Sequence, residues 1–202
     1  MVRLFRVLPF ALSAALALFG AGCGGGDGVV PRSQRPQPVA ALPQGLQAVT
    51  AGEVLARARA NKSGVRGLVV NVWASWCGSC REEVPLLLKV RDAVAGRGLP
   101  FAFVSADQPQ DFAKAVEQLR GWGVALPGWV VAPGSMGDFK RSMSPSWRGG
   151  IPATFLFDAK GQLRHAWEGP ILEEEIAPKL EAYLAGQNVD GLTRTAAEPA
   201  TR

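Results

Sequence analysis

Leu68 to Trp73 is a nearly continuous apolar run, and a few residues later the hydrophobic period changes from strand-like to helical. A strand without polar alternation has to be covered on both faces, as happens in a largely parallel sheet sandwiched between helices. From Cys80 to about Ala95 the residues Val84, Leu87, Leu88, Arg91 and Val94 keep helical spacing, and Gly96 and Gly98 end it. The junction between the two elements is Trp73-Ala74-Ser75-Trp76-Cys77-Gly78-Ser79-Cys80. The fold must therefore present two cysteines where a buried strand feeds a helix.

The rest of the chain supplies partners for that strand. Thr50-Ala51-Gly52-Glu53 has the spacing of a capping box and predicts a short helix to about Asn61. Leu99 to Val104 reads as a strand, Gln108 to Arg120 as a helix with Phe112, Val116 and Leu119 on one side, and Trp129 to Ala132 as a short strand. Between Gly134 and Arg148 the pattern is weak and suggests only a short helix over about 138–143. Thr154 to Phe157, the turn Asp158-Ala159-Lys160-Gly161 and Gln162 to Trp167 predict a hairpin. A last helix falls within Leu172 to Ala185, where Pro178 either kinks it or opens it. Strands separated by helices give an α/β fold, a mixed central sheet with helices on both faces.

The ends read differently. Met1 to Gly22 carries Arg3 and Arg6 followed by an apolar stretch too short for an ordinary membrane helix, the pattern of an export signal. Residues 23–48 hold three consecutive glycines and four prolines with few large apolar groups, and read as a flexible linker. The folded domain is expected over 49–186, and 187–202 as a tail without structure. Loss of Arg3 and Arg6 lowers the formal net charge from +5 to +3, and no basic patch is interleaved with stacking aromatics, so no nucleic-acid partner is implied.

The chain has three cysteines and one histidine, His165, which lies far along the chain in the second hairpin strand and reads as packing or surface. A structural zinc site lacks ligands, so no metal is expected. A disulfide closing so short a loop would do little to restrain an unfolded chain, which makes stapling a poor reason for the pair. A redox role for Cys77 and Cys80 is the leading reading, and it needs no cofactor.

The run from Val70 to Cys80, Pro85 in the following helix and Gly150-Ile151-Pro152-Ala153-Thr154-Phe155 together resemble the TlpA/ResA-like extracytoplasmic thiol-disulfide oxidoreductases of the thioredoxin-like superfamily. The resemblance covers roughly Leu46 to Leu184. It implies a thioredoxin-like domain with an N-terminal extension, a kink-forming Pro85, and Pro152 in a cis-proline loop whose Ile151 backbone meets an extended substrate. Ser79 stands where reducing relatives commonly carry proline, and Asn71 where cytosolic thioredoxins carry a buried aspartate. Separately, Gly20-Ala21-Gly22-Cys23 resembles a bacterial lipoprotein processing site, which implies a lipid on Cys23, attachment to the bilayer and a periplasm-facing place at the inner or outer membrane.

Site chemistry follows from position. Cys77 at a helix mouth has its thiolate favoured by the dipole and free amides, which makes it the nucleophile; Cys80, one turn further in, is the resolving thiol. Glu83, three residues beyond Cys80, could take its proton, although an exposed glutamate favouring the helix start would have the same spacing. Trp73 and Trp76 are expected to divide packing and rim between them, with Gly78 and Ser79 completing the turn. The resemblance implies reduction of exported proteins with disulfides, apocytochrome c among them, and a membrane electron donor of the CcdA or DsbD type. The alternatives are a disulfide oxidase or isomerase, a thiol peroxidase, which lacks its Thr-x-x-Cys, and a copper-binding delivery protein, which lacks a nearby histidine.

Overall fold

A computed structural model describes residues 41–59 and 64–194. The expected export signal, Cys23, most of the expected linker and the final residues of the tail lie outside the described residues.

Among the described residues seven strands form one sheet: β1 (Leu46–Val49), β2 (Gly67–Trp73), β3 (Phe101–Ser105), β4 (Gly128–Val131), β5 (Ala153–Asp158), β6 (Leu163–Glu168) and β7 (Gly191–Arg194), in the spatial order β1-β4-β3-β2-β5-β6-β7. The pairs β1/β4, β4/β3, β3/β2 and β6/β7 are parallel, whereas β5 runs antiparallel to both β2 and β6. The helices are α1 (Ala51–Arg59), α2 (Gly78–Ala93), α3 (Phe112–Gly121, preceded by a 3-10 turn Pro109–Asp111), α4 (Met136–Met143) and α5 (Glu173–Leu184).

Every residue of β2 is buried, as a central strand requires. Val69 and Trp73 face a core built with Val84 and Leu87 of α2, Leu119 of α3 and Ile176 and Leu180 of α5. Leu68, Val70 and Val72 face a second core with Val54 and Leu55 of α1 and Phe139 and Met143 of α4. The alternation of one strand between two helical layers is the α/β sandwich expected from the apolar run. Burying so many large side chains, at about 1.5–3 kcal/mol each, is what offsets the ordering entropy of a domain this size.

Local signals in the sequence hold where they are strong. Thr50 and Glu53 form the capping box: the Thr50 amide donates to Glu53 Oε2 at 2.7 Å and the Glu53 amide to Thr50 Oγ1 at 3.3 Å. In the β5–β6 hairpin Asp158 Oδ1 accepts the amides of Lys160 and Gln162, both at 2.9 Å, and Gly161 takes the positive φ of 74° that closes the turn. α5 runs unbroken through Pro178, and α2 through Pro85. The carbonyls these prolines leave without an amide belong to Glu174 and Arg81, on exposed residues where water can replace the lost bond.

Three expectations need correction. The linker does not extend through residue 48, because Leu46–Val49 is the edge strand β1: Leu46 and Val49 are buried, and its backbone is tied to β4 through bonds such as Ala132 N to Val49 O at 2.9 Å. The tail does not begin at 187, because Gly191–Arg194 pairs with β6. His165 explains this. Its buried ring donates from Nδ1 to the Val189 carbonyl at 2.7 Å, and Nε2 accepts from the Thr193 hydroxyl at 3.1 Å. These bonds, the parallel backbone pairing with β6 and the burial of Val189 in the core beside α5 hold the segment. The helix of the weak region, α4, starts at Met136 rather than near 138.

Candidate active site

The site lies at the C-terminal edge of β2 and β3, the end of an open α/β sheet where ligands generally bind. β2 delivers Trp73, and the chain turns through Ala74–Trp76 into Cys77, the N-cap of α2, whose extended backbone (φ −86°, ψ 109°) ends the strand direction. Cys77 and Cys80 are joined by a disulfide, with Cα atoms 5.3 Å apart. Cys77 is 6% exposed and Cys80 0%, so the first sulfur is the one nearer solvent. The Cys80 amide donates to Cys77 Sγ at 3.2 Å. A first-turn amide of the helix thus points at the sulfur that would carry negative charge after reduction. Ser79 Oγ lies 3.7 Å from the same sulfur.

The loop in front of Cys77 is held by Asp107, just beyond β3. Its carboxylate accepts the Ser75 amide (3.0 and 3.2 Å to its two oxygens), the Ser75 hydroxyl at 2.7 Å and the Ser105 hydroxyl at 2.6 Å. Sequence reasoning passed over Asp107, because a lone aspartate after a strand gives no signal of its target. Trp73 is fully buried, its ring edge-on to Trp122 at 4.8 Å, whereas Trp76 is 60% exposed beside Cys77. Gly78 is exposed and Ser79 half-buried.

Behind Cys80 a second carboxylate is enclosed. Glu83, 3% exposed, accepts Asn71 Nδ2 at 2.8 Å on Oε1 and the Ile171 amide at 2.9 Å on Oε2. Asn71 Nδ2 also donates to Thr154 Oγ1 at 3.0 Å. Burial pushes the Glu83 carboxyl up to about 7, while the bonds from Ile171, Asn71 and Thr154 pull the other way without overcoming it. An ordinary glutamate at a helix start would be exposed; this one is inside, one helical turn from Cys80. Thr154 and Ile171 escaped sequence reasoning because they reach Glu83 from β5 and from the approach to α5.

Pro152 precedes β5, and the register Val72↔Ala153 sets it at the same sheet edge as the cysteines. The Ile151–Pro152 peptide is cis, and half-buried Ile151 packs against both cores. Pro85 lies two residues beyond Glu83 within α2. The structure therefore brings Asn71, Trp73, Trp76, Cys77, Gly78, Ser79, Cys80, Glu83, Pro85, Ile151 and Pro152 to one edge of the sheet or the helix that starts there. Cys23 lies outside the described residues. Among the described residues no cluster of three or more His, Cys, Asp or Glu side chains is placed to hold a metal ion.

Residues 49–166 match the model of the AhpC/TSA family. The chain belongs to that family. It is 32% identical over 120 residues to the thiol:disulfide interchange protein HelX of Rhodobacter capsulatus, an alignment spanning 58% of this chain and 61% of that one. It is 29% identical over 106 residues to a probable thiol:disulfide interchange protein, DsbE-2, of Pasteurella multocida, covering 52% of this chain and 50% of the relative. The chain thus spans about half to three-fifths of the length of these relatives. A thioredoxin-related protein from Neisseria meningitidis serogroup B shares the fold, with a TM-score of 0.51 at 20% identity over 62% of this chain and 90% of that one.

Proposed function

We propose that the protein is a thiol-disulfide oxidoreductase that reduces disulfides of exported proteins by dithiol exchange. The observation that carries this is the placement of Cys77 Sγ at the N-terminus of α2, facing the Cys80 amide, with Cys80 close enough to bond it. In the reduced protein the Cys77 thiolate attacks one sulfur of a client disulfide. The client S–S bond breaks, a mixed disulfide forms on Cys77, and the second client sulfur leaves as a thiolate and takes a proton. Cys80 then loses its proton and attacks Cys77 Sγ, releasing the first client sulfur. Two electrons pass to the client, and the Cys77–Cys80 disulfide remains.

Glu83, with its carboxyl near neutrality, is suited to take the Cys80 proton at that step, acting as a base while ionised. The backbone N–H and C=O of Ile151 have no partner among the described residues, which leaves them available to an extended client chain. Trp76 offers an exposed apolar face beside the sulfur. Electrons to restore the dithiol come from a membrane donor of the CcdA or DsbD type, and apocytochrome c is one client class. The site faces the periplasm, tethered by a lipid on Cys23.

The test uses the reduced protein with insulin as a model disulfide substrate. Turnover should require both cysteines, and Cys80→Ala should accumulate a mixed disulfide on Cys77. Absence of insulin reduction, together with failure of Cys80→Ala to trap any thiol partner, overturns the proposal. Equilibration of the Cys77–Cys80 pair with glutathione separates a reductant from an oxidase or isomerase, because the latter would show a distinctly higher potential.

A further inference from the structure

We propose that the groove beside the disulfide selects clients with acidic residues flanking the reactive cysteine, an inference that rests on the disulfide-exchange reading above. The groove encloses about 350 Å³, enough for one or two side chains of an extended segment rather than for a folded surface. It begins at Trp76 and Ile151, the neighbours of Cys77 and Pro152, and ends against Met136 and Lys140 of α4 and the following Trp147–Gly149 loop. A chain whose cysteine is bonded to Cys77 would therefore lay its adjacent residues along it.

The charges of that groove have one sign. Lys140 and Arg148 are its only charged lining residues, and neither forms an ion pair or side-chain hydrogen bond among the described residues. The acids nearest in sequence or site are already engaged. Asp138 pairs with Arg141 on the outside of α4, and Asp107 is enclosed by Ser75 and Ser105. The cations also stand on fixed backbone. Trp147 is buried, donates from its indole nitrogen to the Gly150 carbonyl at 2.8 Å, and packs edge-on against Phe155 at 5.2 Å. Gly149, at φ 95°, leaves room for the Lys140 stem, which a Cβ there would approach to 3.3 Å. Two unpaired, pre-placed cations next to an apolar platform match a segment that brings carboxylates and a large apolar side chain together. Complementary charge of this kind acts chiefly on association rate and fades as salt screens it.

The experiment compares two synthetic peptides, each with one cysteine in mixed disulfide with the uncharged thiol 2-mercaptoethanol. They are identical except for glutamates or lysines on both sides of the cysteine. The reduced protein should act on the glutamate peptide with about a tenfold greater kcat/KM at low salt, a ratio that shrinks toward one near 1 M salt. K140E/R148E should reverse the preference and K140Q/R148Q abolish it, both keeping the wild-type rate on bis(2-hydroxyethyl) disulfide, which is too small to reach the groove. Equal rates on the two peptides, or a preference that survives both pairs of substitutions, overturn the selection while leaving the exchange chemistry standing. If no disulfide is reduced by any form of the protein, the exchange reading fails and takes this inference with it.

Discussion

Two buried carboxylates flank the cysteine turn, and they do opposite things with the same functional group. Asp107 takes all its donors from one place, the amide and hydroxyl of Ser75 and the hydroxyl of Ser105 at the adjoining ends of β2 and β3. Its bonds hold the loop that delivers Cys77. Glu83 gathers donors from far apart, Asn71 on β2 and Ile171 ahead of α5, with Thr154 on β5 bonded to the same Asn71 amide, and it sits where burial outweighs those bonds. Asp107, ringed by short donors, is a clamp on the loop; Glu83, whose surroundings resist its charge, is poised to exchange a proton near neutral pH.

The largest way to break the contrast is to remove the clamp. Asp107→Ala strips charge-assisted bonds from the Ser75 amide and two hydroxyls in a buried setting. Each such bond is worth about 1.5–3 kcal/mol, and they overlap, so a total loss of about 4 kcal/mol is expected by urea denaturation of the oxidised protein. A loss under about 1 kcal/mol would mean that the loop holds itself.

Next comes the pH dependence that Glu83 imposes on stability. Its folded value of about 7 lies above the ordinary carboxyl value of 4.5, so the folded state holds a proton that the unfolded state has released between those limits. This contribution is fully present below about pH 4.5 and is lost as pH rises through about 7, opposite in sense to a salt-bridged carboxylate. At about 1.4 kcal/mol per unit the loss amounts to roughly 3 kcal/mol, an upper figure because the protein can relax. Glu83→Gln should flatten that slope. Parallel pH–stability curves for wild type and Glu83→Gln would erase the distinction between the two acids.

That the two acids differ was only half legible in the sequence. The run Leu68 to Trp73 and the helical period after Cys77 are local patterns, and the sheet and the cysteine turn follow from them. Glu83 stood out by its spacing from Cys80, but its burial did not, because the enclosing groups lie 12 residues away at Asn71 and 88 away at Ile171. Asp107 reaches back 32 residues to Ser75, a link that no window of sequence displays. The edge strands β1 and β7 were missed for a related reason. Each is four residues long, and the partners that order it, β4 for one and β6 with His165 for the other, are distant in the chain.

Glu83 also leaves a mark on kinetics that Asp107 does not. At pH 7 Glu83→Gln should slow release of a client from the mixed disulfide on Cys77 by about 100-fold, the low end of what a positioned general base contributes. It should also remove the inflection near pH 7 from the single-turnover profile. Formation of the mixed disulfide precedes Cys80 deprotonation and should change little. Equal slowing of both steps would assign Glu83 a role in shaping the site rather than in moving a proton.

The smallest effect is expected at Ser79, which touches neither acid. Its hydroxyl lies 3.7 Å from Cys77 Sγ in the disulfide form, near enough to turn and donate to the thiolate once the pair is reduced. One such bond, partly shared with water, is worth about 0.5–1 kcal/mol, so Ser79→Ala should slow alkylation of reduced Cys77 by iodoacetamide about two- to fivefold at pH 6. Because the hydroxyl lies outside both carboxylate clusters, the same variant should keep the wild-type pH–stability slope and the release rate that depends on Glu83. If Ser79→Ala moved the slope as well, the helix mouth and the Glu83 cluster would be one electrostatic unit, and the separation between sulfur activation and proton handling would collapse.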